Sequence, residues 1–413
     1  MTTLARPGLW RTRNFRLLWT GETASMLGSA VASTALPLVA VVTLRASTFM
    51  VGLLAAAAWL PWLLVGLPAG AWVDRLPKRP VMLTCNAVSA LVFGSVPAAA
   101  LLGVLTMPYL LVAALLGGVA KVFFTLAYRA YLPALVEGGQ LLEANTKLQG
   151  SESATEIAGP GLAGLLVKVF GPVSGILADS VSFAISVLCL HFVRARETKS
   201  FVEKRRLRTE IGDGLRFVTR DPYLRTLMIY GAVSNLAIDG YEAIQIVFLA
   251  REIGAGPGQI GFVLALAGVG GVCGALVTGR LAARFGTARS YLLGIGFGAP
   301  MLLLGPFASA GPGLVFFAVA WFGAGASVVV SNVLLGTFRQ RYCPPELFGR
   351  ITATYAVMNY GTIPLGAFLG GLLGEVLGVR QTMWLMGGVK LAAFGLVLFS
   401  PIRARRDFPA RVS

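Results

Sequence analysis

The sequence has little charge. Only 13% of its 413 residues are Asp, Glu, Lys or Arg, whereas 56% are hydrophobic, and a soluble domain carries about twice that share of charge. It contains one histidine and four cysteines, and the cysteines lack the spacing of a metal site or a disulfide framework. These shortages exclude a soluble enzyme, a disordered chain and an ordinary nucleic-acid-binding protein. They predict a protein that lives in a membrane.

Catalytic motifs are missing as well. The sequence contains no P-loop, no H-E-x-x-H, no G-x-S-x-G and no metal-binding cluster. It therefore offers no residues for ATP hydrolysis or covalent catalysis. We expect no enzymatic activity, no cofactor and no bound metal.

Long apolar stretches are abundant. A helix of about 20 apolar residues spans a bilayer, and twelve stretches approach or exceed that length. They cover residues 15–43, 49–72, 79–105, 108–128, 146–170, 173–194, 225–250, 256–282, 289–309, 313–338, 348–376 and 381–401. We predict an all-α membrane protein with twelve transmembrane helices.

Positive charge is distributed unevenly over the predicted loops. If both termini are cytoplasmic, 29 of the 35 Lys and Arg residues lie on that side, and only Arg45, Lys168, Arg251 and Arg380 lie on the other. Positive residues mark the cytoplasmic face. We therefore predict cytoplasmic termini in a multi-pass protein of the cell membrane, in particular a bacterial inner membrane. The net charge of +17 reflects this topology and not a nucleic-acid partner.

The two halves of the chain share features at spacings close to half its length. Asp74 and Ala283 stand 209 residues apart, each followed by Arg, and Pro160 and Pro364 stand 204 apart. These offsets predict a duplication of six helices. Transporters built from such repeats commonly bind their cargo near the bilayer midplane.

A polar interruption separates the halves. We predict an N-terminal six-helix bundle at 1–194, a cytoplasmic linker at 195–224 and a C-terminal six-helix bundle at 225–413. Within the linker, apolar residues at helical spacing over 209–221 predict an amphipathic helix on the inner membrane surface.

Residues 70–79 form a charged turn after the second predicted helix. Asp74 can accept hydrogen bonds from the N-terminus of another helix, the bases can pair with acids at helix ends, and Gly70 permits close helix contact. We call this set, with its second-half counterpart, the gate motif: Gly70, Asp74, Arg75, Lys78, Arg79 and Arg284. The simpler alternative is a positive turn that only fixes topology.

A second motif lies in the fifth predicted helix. Gly159 and Gly164 remove bulk, and Pro160 deprives the carbonyl of Glu156 of its helical donor, so the helix can bend and pack closely. Pro364 is the counterpart in the eleventh helix. Ordinary helix packing is the alternative interpretation.

These motifs carry a resemblance. Residues 70–79 resemble the signature G-x-x-x-D-R-x-G-R-R of the major facilitator superfamily, with Pro77 and Lys78 as departures. Residues 155–165 are similar to the antiporter motif of its exporters. Residues 177–183 and 339–371 resemble the branch of enterobactin exporters and macrolide efflux pumps. The resemblance implies the major facilitator fold and outward transport of bulky amphiphilic molecules.

Ionisable residues inside predicted helices are functional candidates because each is costly in a bilayer. We place Glu22 about 10 Å from the inner surface. Helices 1 and 4 line the cavity in the superfamily that the chain resembles, so we predict that Glu22 pairs with Lys121. Glu156 lies near the midplane, as a proton site or a structural partner of Lys121. Asp239 and Glu242 form a paired-acid site or line a solvated vestibule.

Three aromatic residues, Phe123, Tyr355 and Tyr360, are candidates to line a cargo cavity, although most aromatic side chains in spanning helices pack or face lipid. We predict a monomeric, proton-coupled exporter of amphiphilic small molecules such as antibiotics or siderophores, surrounded by lipid. The alternatives are a facilitative permease or importer without proton coupling, and a membrane sensor that transports nothing.

Overall fold

The computed structural model describes residues 9–136, 140–194 and 215–409, and within these ranges the chain forms helices and no strand. Each predicted apolar stretch coincides with one long helix. In chain order the helices are α1 (Arg13–Leu38), α2 (Thr48–Arg75), α3 (Lys78–Leu101), α4 (Met107–Leu135), α5 (Leu141–Phe170), α6 (Ser174–Phe192), α7 (Pro222–Val247), α8 (Pro257–Phe285), α9 (Thr287–Met301), α10 (Leu314–Tyr342), α11 (Pro345–Val376) and α12 (Val379–Leu398). The predicted all-α class is confirmed.

Nine helices in the described ranges are long and apolar enough to cross a membrane, judged by length and composition. The three others are α5, α7 and α11. Two of these carry candidate acids, Glu152 and Glu156 on α5 and Asp239 and Glu242 on α7. Crossing by all twelve helices, and the side on which the termini lie, stay predictions.

Several helices extend beyond their apolar stretches. The α5 helix begins at Leu141 and α4 ends at Leu135, because backbone hydrogen bonding continues where apolar side chains stop. The α1 helix begins at Arg13, two residues before the predicted start. Glu22 therefore lies about 13 Å along the helix axis from its first residue.

The backbone repeats the duplication expected from the sequence. A π-helical turn follows α1 at Val39–Thr43 and another follows α7 at Phe248–Glu252, 209 residues later. Left-handed φ angles of 49° at Arg45 and 71° at Gly254 are separated by the same interval. Single π-helical turns are rare, so their recurrence at one offset supports a common origin of the two halves.

The chain divides into two compact units, Met1–Leu44 with Leu60–Glu203, and Arg45–Trp59 with Lys204–Ser413. We call them unit 1 and unit 2. The first part of α2 packs within unit 2, where Ala56 meets Ala243 and Ala367. The domain boundaries drawn from the sequence stay predictions. Residues 195–214 of the expected linker lie outside the described ranges, and 215–220 are helical.

Each unit has its own buried core. Phe15, Met82, Tyr131, Leu148 and Leu190 bring together α1, α3, α4, α5 and α6 in unit 1. In unit 2 the core residues come from α7, α9, α10, α11 and α12, and include Leu224, Tyr291, Phe338, Tyr355 and Val397. The C-terminal segment, residues 399–409, closes this second core with the buried side chain of Ile402.

Candidate transport site

Unit 1 gathers ionisable side chains from four helices. Glu22 on α1 is only 8% exposed, and it interacts electrostatically with Glu152 on α5. Lys121, the middle residue of α4, interacts with Glu152 and with Asp179 on α6. Glu152 thus interacts with both members of the predicted Glu22–Lys121 pair. Their direct pairing stays a prediction.

Asp179 is the most buried acid of this cluster, with 2% of its surface exposed. The hydroxyl of Ser29 donates to Asp179 Oδ1 at 3.3 Å, and the hydroxyl of Ser182 at 3.4 Å. The bond from Ser29 on α1 therefore joins that helix to α6, which carries Asp179. Lys121 is exposed, although it lies halfway along an apolar helix, so it borders space that protein atoms do not fill.

Tyr128 completes the cluster. Its hydroxyl is buried without a hydrogen-bond partner among the described residues, and it interacts electrostatically with Glu22 and Glu152. Glu152 is one of the ionisable residues inside predicted helices and Tyr128 one of the aromatic residues, but the sequence did not place either of them in the site. The available signal was spacing, because Tyr128 follows Lys121 by two helical turns and Glu152 precedes Glu156 by one.

The α5 helix packs tightly on α1 beside these acids. A Cβ atom added at Gly159 would lie 2.4 Å from the Cβ of Ala30, so the two helices need a glycine there. Gly164 is also buried, and Pro160 sits inside a helix that continues unbroken from Leu141 to Phe170. Glu156 is exposed, and its charged neighbour is Glu152.

Unit 2 contains a second cluster on α7 and α12. Asp239 and Glu242 both interact electrostatically with Lys390, which is 3% exposed. One carboxylate oxygen of Asp239 is buried without a hydrogen-bond partner among the described residues, whereas Glu242 is exposed. The predicted acid pair therefore has a buried basic partner that the sequence analysis did not include in the site.

Small residues place this acid pair. A Cβ added at Gly370 on α11 would lie 2.2 Å from the carbonyl oxygen of Gly240, and one added at Gly366 would lie 2.8 Å from the Cβ of Asp239. The backbones of α7 and α11 thus approach as closely as glycine allows. Pro364 lies in α11 just before this contact.

The three candidate aromatic residues have different environments. Phe123 stacks on Trp72 at 6.2 Å between ring centroids, and Tyr360 stacks on Trp59 at 6.3 Å. Tyr355 is buried, and its hydroxyl donates to the carbonyl of Leu224 at 2.9 Å. The ring and the hydroxyl of Tyr355 are both used in packing, and its role in lining a cavity stays a prediction.

The bases of the gate motif bind helix ends. Lys78 Nζ donates to the carbonyls of Val73 at 2.6 Å and Leu76 at 2.9 Å, at the end of α2. Arg79 donates to the carbonyls of Leu190, at 3.1 Å, and His191 at the end of α6. These contacts place positive charge at helix C-termini, where it is favourable, and the expected pairing of the bases with acids stays a prediction.

The remaining gate residues show less contact. No described atom lies within 4 Å of a Cβ added at Gly70, so the close helix approach expected there is not seen. Arg75 is exposed, and Arg284 lies over the ring of Phe285 at 5.4 Å. The side chain of Asp74 is outside the described part of the structure, so its predicted role stays a prediction.

The described ranges hold no group of three His, Cys, Asp or Glu side chains that could bind a metal ion. Two helical units, each with ionisable side chains held inside apolar helices, define the class of protein as a multi-pass membrane transporter, not an enzyme. The chain belongs to the family described as transmembrane secretion effector, MFS_3, whose family model matches residues 6–408.

Three relatives have similar length. The multidrug efflux pump Tap of Mycolicibacterium fortuitum is 28% identical over 87% of this chain and 89% of its own. The enterobactin exporter EntS of Escherichia coli O81 is 27% identical, covering 93% and 89%. Macrolide efflux protein A of Streptococcus pyogenes is 22% identical, covering 92% and 93%. The resemblance to the major facilitator superfamily and to this branch is confirmed.

Solved structures agree on the fold. The nucleoside transporter NupG superposes with a TM-score of 0.76 at 13% identity, covering 94% of this chain and 98% of its own. A bacterial homologue of the iron transporter ferroportin, in its inward-facing state, superposes with a TM-score of 0.75 at 18% identity, covering 94% and 98%. At such identities the likeness concerns the fold alone.

Proposed function

We propose that the protein is a proton-coupled exporter of amphiphilic small molecules that works by alternating access. The observation that carries the proposal is the placement of Glu22, Lys121, Glu152 and Asp179 in one charged cluster within apolar helices. Ionisable groups at such depth are costly, and they mark ion and substrate pathways in membrane proteins. The efflux pumps and exporters among the relatives support the outward direction.

The first-unit cluster supplies the coupling step. Lys121 has two carboxylate neighbours, and Glu22 has an acidic neighbour instead of a basic one. Two carboxylates in mutual range hold a proton more readily than one alone. A proton arriving from outside would settle on Glu22, Glu152 or Glu156, and its release inside would complete the cycle. The acid pair of unit 2 would contact the cargo.

The topology belongs to the same proposal. Twelve membrane crossings with cytoplasmic termini would put the gate motif on the inner side, where a contact of Asp74 with the N-terminus of another helix would stabilise one of the two access states. Stacked aromatic rings at Phe123 and Tyr360 would offer flat apolar surfaces to the cargo. We propose a monomer in contact with lipid, because the transport site needs residues of one chain only.

Everted membrane vesicles containing the full-length protein test this function. With erythromycin as the probe, energised vesicles should accumulate it, and collapse of both the pH gradient and the membrane potential should abolish accumulation. Glu22→Gln should have the same effect as the collapse. Glu143→Gln is the matched control, because Glu143 pairs with Lys147 at 3.3 Å on the surface of α5 and lies outside the cluster.

Two outcomes would refute the proposal. Accumulation that survives loss of both gradients would exclude proton coupling. Rapid counterflow that does not depend on pH, with normal transport by Glu22→Gln, would identify a facilitative permease whose carboxylates only contact the cargo.

A further inference from the structure

Lys390 is a buried charge in the last helix of unit 2. Only 3% of its surface is exposed, and it lies in the interior of α12, well away from either end. An ammonium group is costly at such depth unless opposite charge compensates it. The charges that interact with it are Glu242 and Asp239 of α7, so two acids compensate the Lys390 ammonium.

The charges of this group do not balance. Two acids face one base, and a carboxylate oxygen of Asp239 is buried without a hydrogen-bond donor among the described residues. The charged residues at the point where α11 ends and α12 begins have other partners. Glu375 accepts the backbone N–H of Phe49 at 3.1 Å, and Arg380 bonds to Glu252 at 3.2 Å. When both acids are ionised, the group can accept one more positive charge, and Glu242 is exposed to receive it.

The fold does not require these charges. The 209-residue offset of α1 and α7 places Ala30 and Ser33 at the positions equivalent to Asp239 and Glu242. The offsets of 204 to 209 residues place the equivalent of Lys390 within residues 181–186 of α6, which carry no charge. Because the first half builds the same helices without charge at these sites, the charges of the second half serve a role other than packing.

We propose that Lys390 is an internal competitor for the cationic group of the cargo, so that it sets the charge selectivity of the Asp239–Glu242 site. An incoming organic cation shares the two carboxylates with the Lys390 ammonium, which weakens binding and eases release. This inference rests on the proposed function, in which Asp239 and Glu242 contact the cargo.

The test measures binding to the purified full-length protein at fixed pH and ionic strength, without any gradient. The probe is tetraphenylphosphonium, a permanent organic cation, in equilibrium dialysis. Lys390→Met keeps the length of the side chain and removes its charge, so it should bind the probe about tenfold more tightly, within the usual range for coupled sites. Lys390→Arg retains the charge and should bind it as the wild type does.

Two further variants separate charge from packing. Glu242→Gln should lose most of the affinity for tetraphenylphosphonium. The double variant Glu242→Gln with Lys390→Met has the same net charge as the wild type and should regain affinity. Binding of the uncharged probe Nile red should be the same in all variants.

Several results would overturn the inference. One is that Lys390→Met binds tetraphenylphosphonium no more tightly than the wild type does. The same holds if neither protein binds it detectably. Another is a parallel change in Nile red binding, which would indicate a structural role. If Lys390→Met does not fold, the double variant is compared with Glu242→Gln. Equal affinities of these two variants for tetraphenylphosphonium would overturn the inference. If transport into vesicles fails but charge-dependent binding is intact, only the proposed function is refuted, and the inference about Lys390 stands.

Discussion

The C-terminal segment provides the sharpest test of how unit 2 is held together. The α9 helix begins after Gly286, which has no side chain to cap the free N–H groups. Asp407 accepts from the backbone N–H of Thr287 at 2.8 Å, and the carbonyl of Arg406 accepts from Ala288 at 3.1 Å and Arg289 at 3.2 Å. The segment thus caps a helix more than a hundred residues away. Replacing Asp407 by Ala should open the first turn of α9.

The expected effect follows from these contacts. Asp407 Oδ1 also accepts from the hydroxyl of Thr287 at 3.3 Å, and that hydroxyl accepts from the backbone N–H of Phe408 at 2.9 Å. Loss of a capping side chain costs about 1 kcal/mol, a factor of about five in the local opening equilibrium. The stacking of Phe408 on Phe338, 4.5 Å between centroids, should hold the rest of the segment in place.

Hydrogen exchange followed by mass spectrometry measures this opening, because exchange reports local unfolding. Peptides covering residues 286–292 should exchange about fivefold faster in Asp407→Ala than in the wild type. Asp407→Asn keeps an acceptor oxygen but not its charge. Since charge-assisted hydrogen bonds are about twice as strong as neutral ones, this variant should show an intermediate rate.

Arg405→Gln is the matched control, because Arg405 is exposed two residues before Asp407 and its side chain should not affect the cap. Wild-type exchange at the start of α9 in Asp407→Ala would refute the reasoning. So would equal acceleration in the Arg405 control.

Three further predictions concern packing, cysteine chemistry and the gate motif. Gly370→Val should lower the thermal midpoint of the purified protein, because its Cβ would lie 2.2 Å from the Gly240 carbonyl oxygen and overpacking costs about 1–3 kcal/mol. Gly336→Ala should leave the midpoint unchanged, because the space around Gly336 is open. Burial raises the pKa of the Cys343 thiol to about 11. At about pH 7, N-ethylmaleimide should therefore label this thiol at least tenfold more slowly in the native protein than in detergent-denatured protein. Equal labelling rates would contradict this prediction. Arg79→Gln should speed hydrogen exchange at the C-terminal end of α6, and unchanged exchange there would contradict the capping role.

The positions of the helices were readable from the sequence because apolar stretches and helices share one cause. A segment that crosses a bilayer must satisfy its backbone internally and cover itself with apolar side chains. The ends were less predictable, as α4 shows, because its helix continues past the apolar run through Arg129 to Leu135. The amphipathic ends of such helices carry polar residues that resemble loops in a hydropathy profile.

The depth of a residue along its own helix could be computed from the sequence, but its neighbours on other helices could not be identified. That calculation suggested Glu22 opposite Lys121, whereas the structure puts Glu152 within range of both. Lys390 was left out of the predicted site for the same reason, since nothing in the local sequence of α12 indicates that α7 lies beside it. Rotation of a helix about its axis decides such contacts, and the even distribution of apolar residues around these helices leaves that rotation undefined.

The two halves share their helices but not their chemistry. In unit 1 the end of α6 is tied to the start of α3 through the side chain of Arg79, whose counterpart in unit 2 is Ala288. There the start of α9 is tied instead by the backbone of Arg406. The charged clusters differ in the same way, because neither has ionisable residues at the equivalent positions of the other half. Duplication explains the scaffold. The features that can distinguish a proton from a cargo molecule are those in which the halves have diverged, and mutagenesis aimed at mechanism should begin with them.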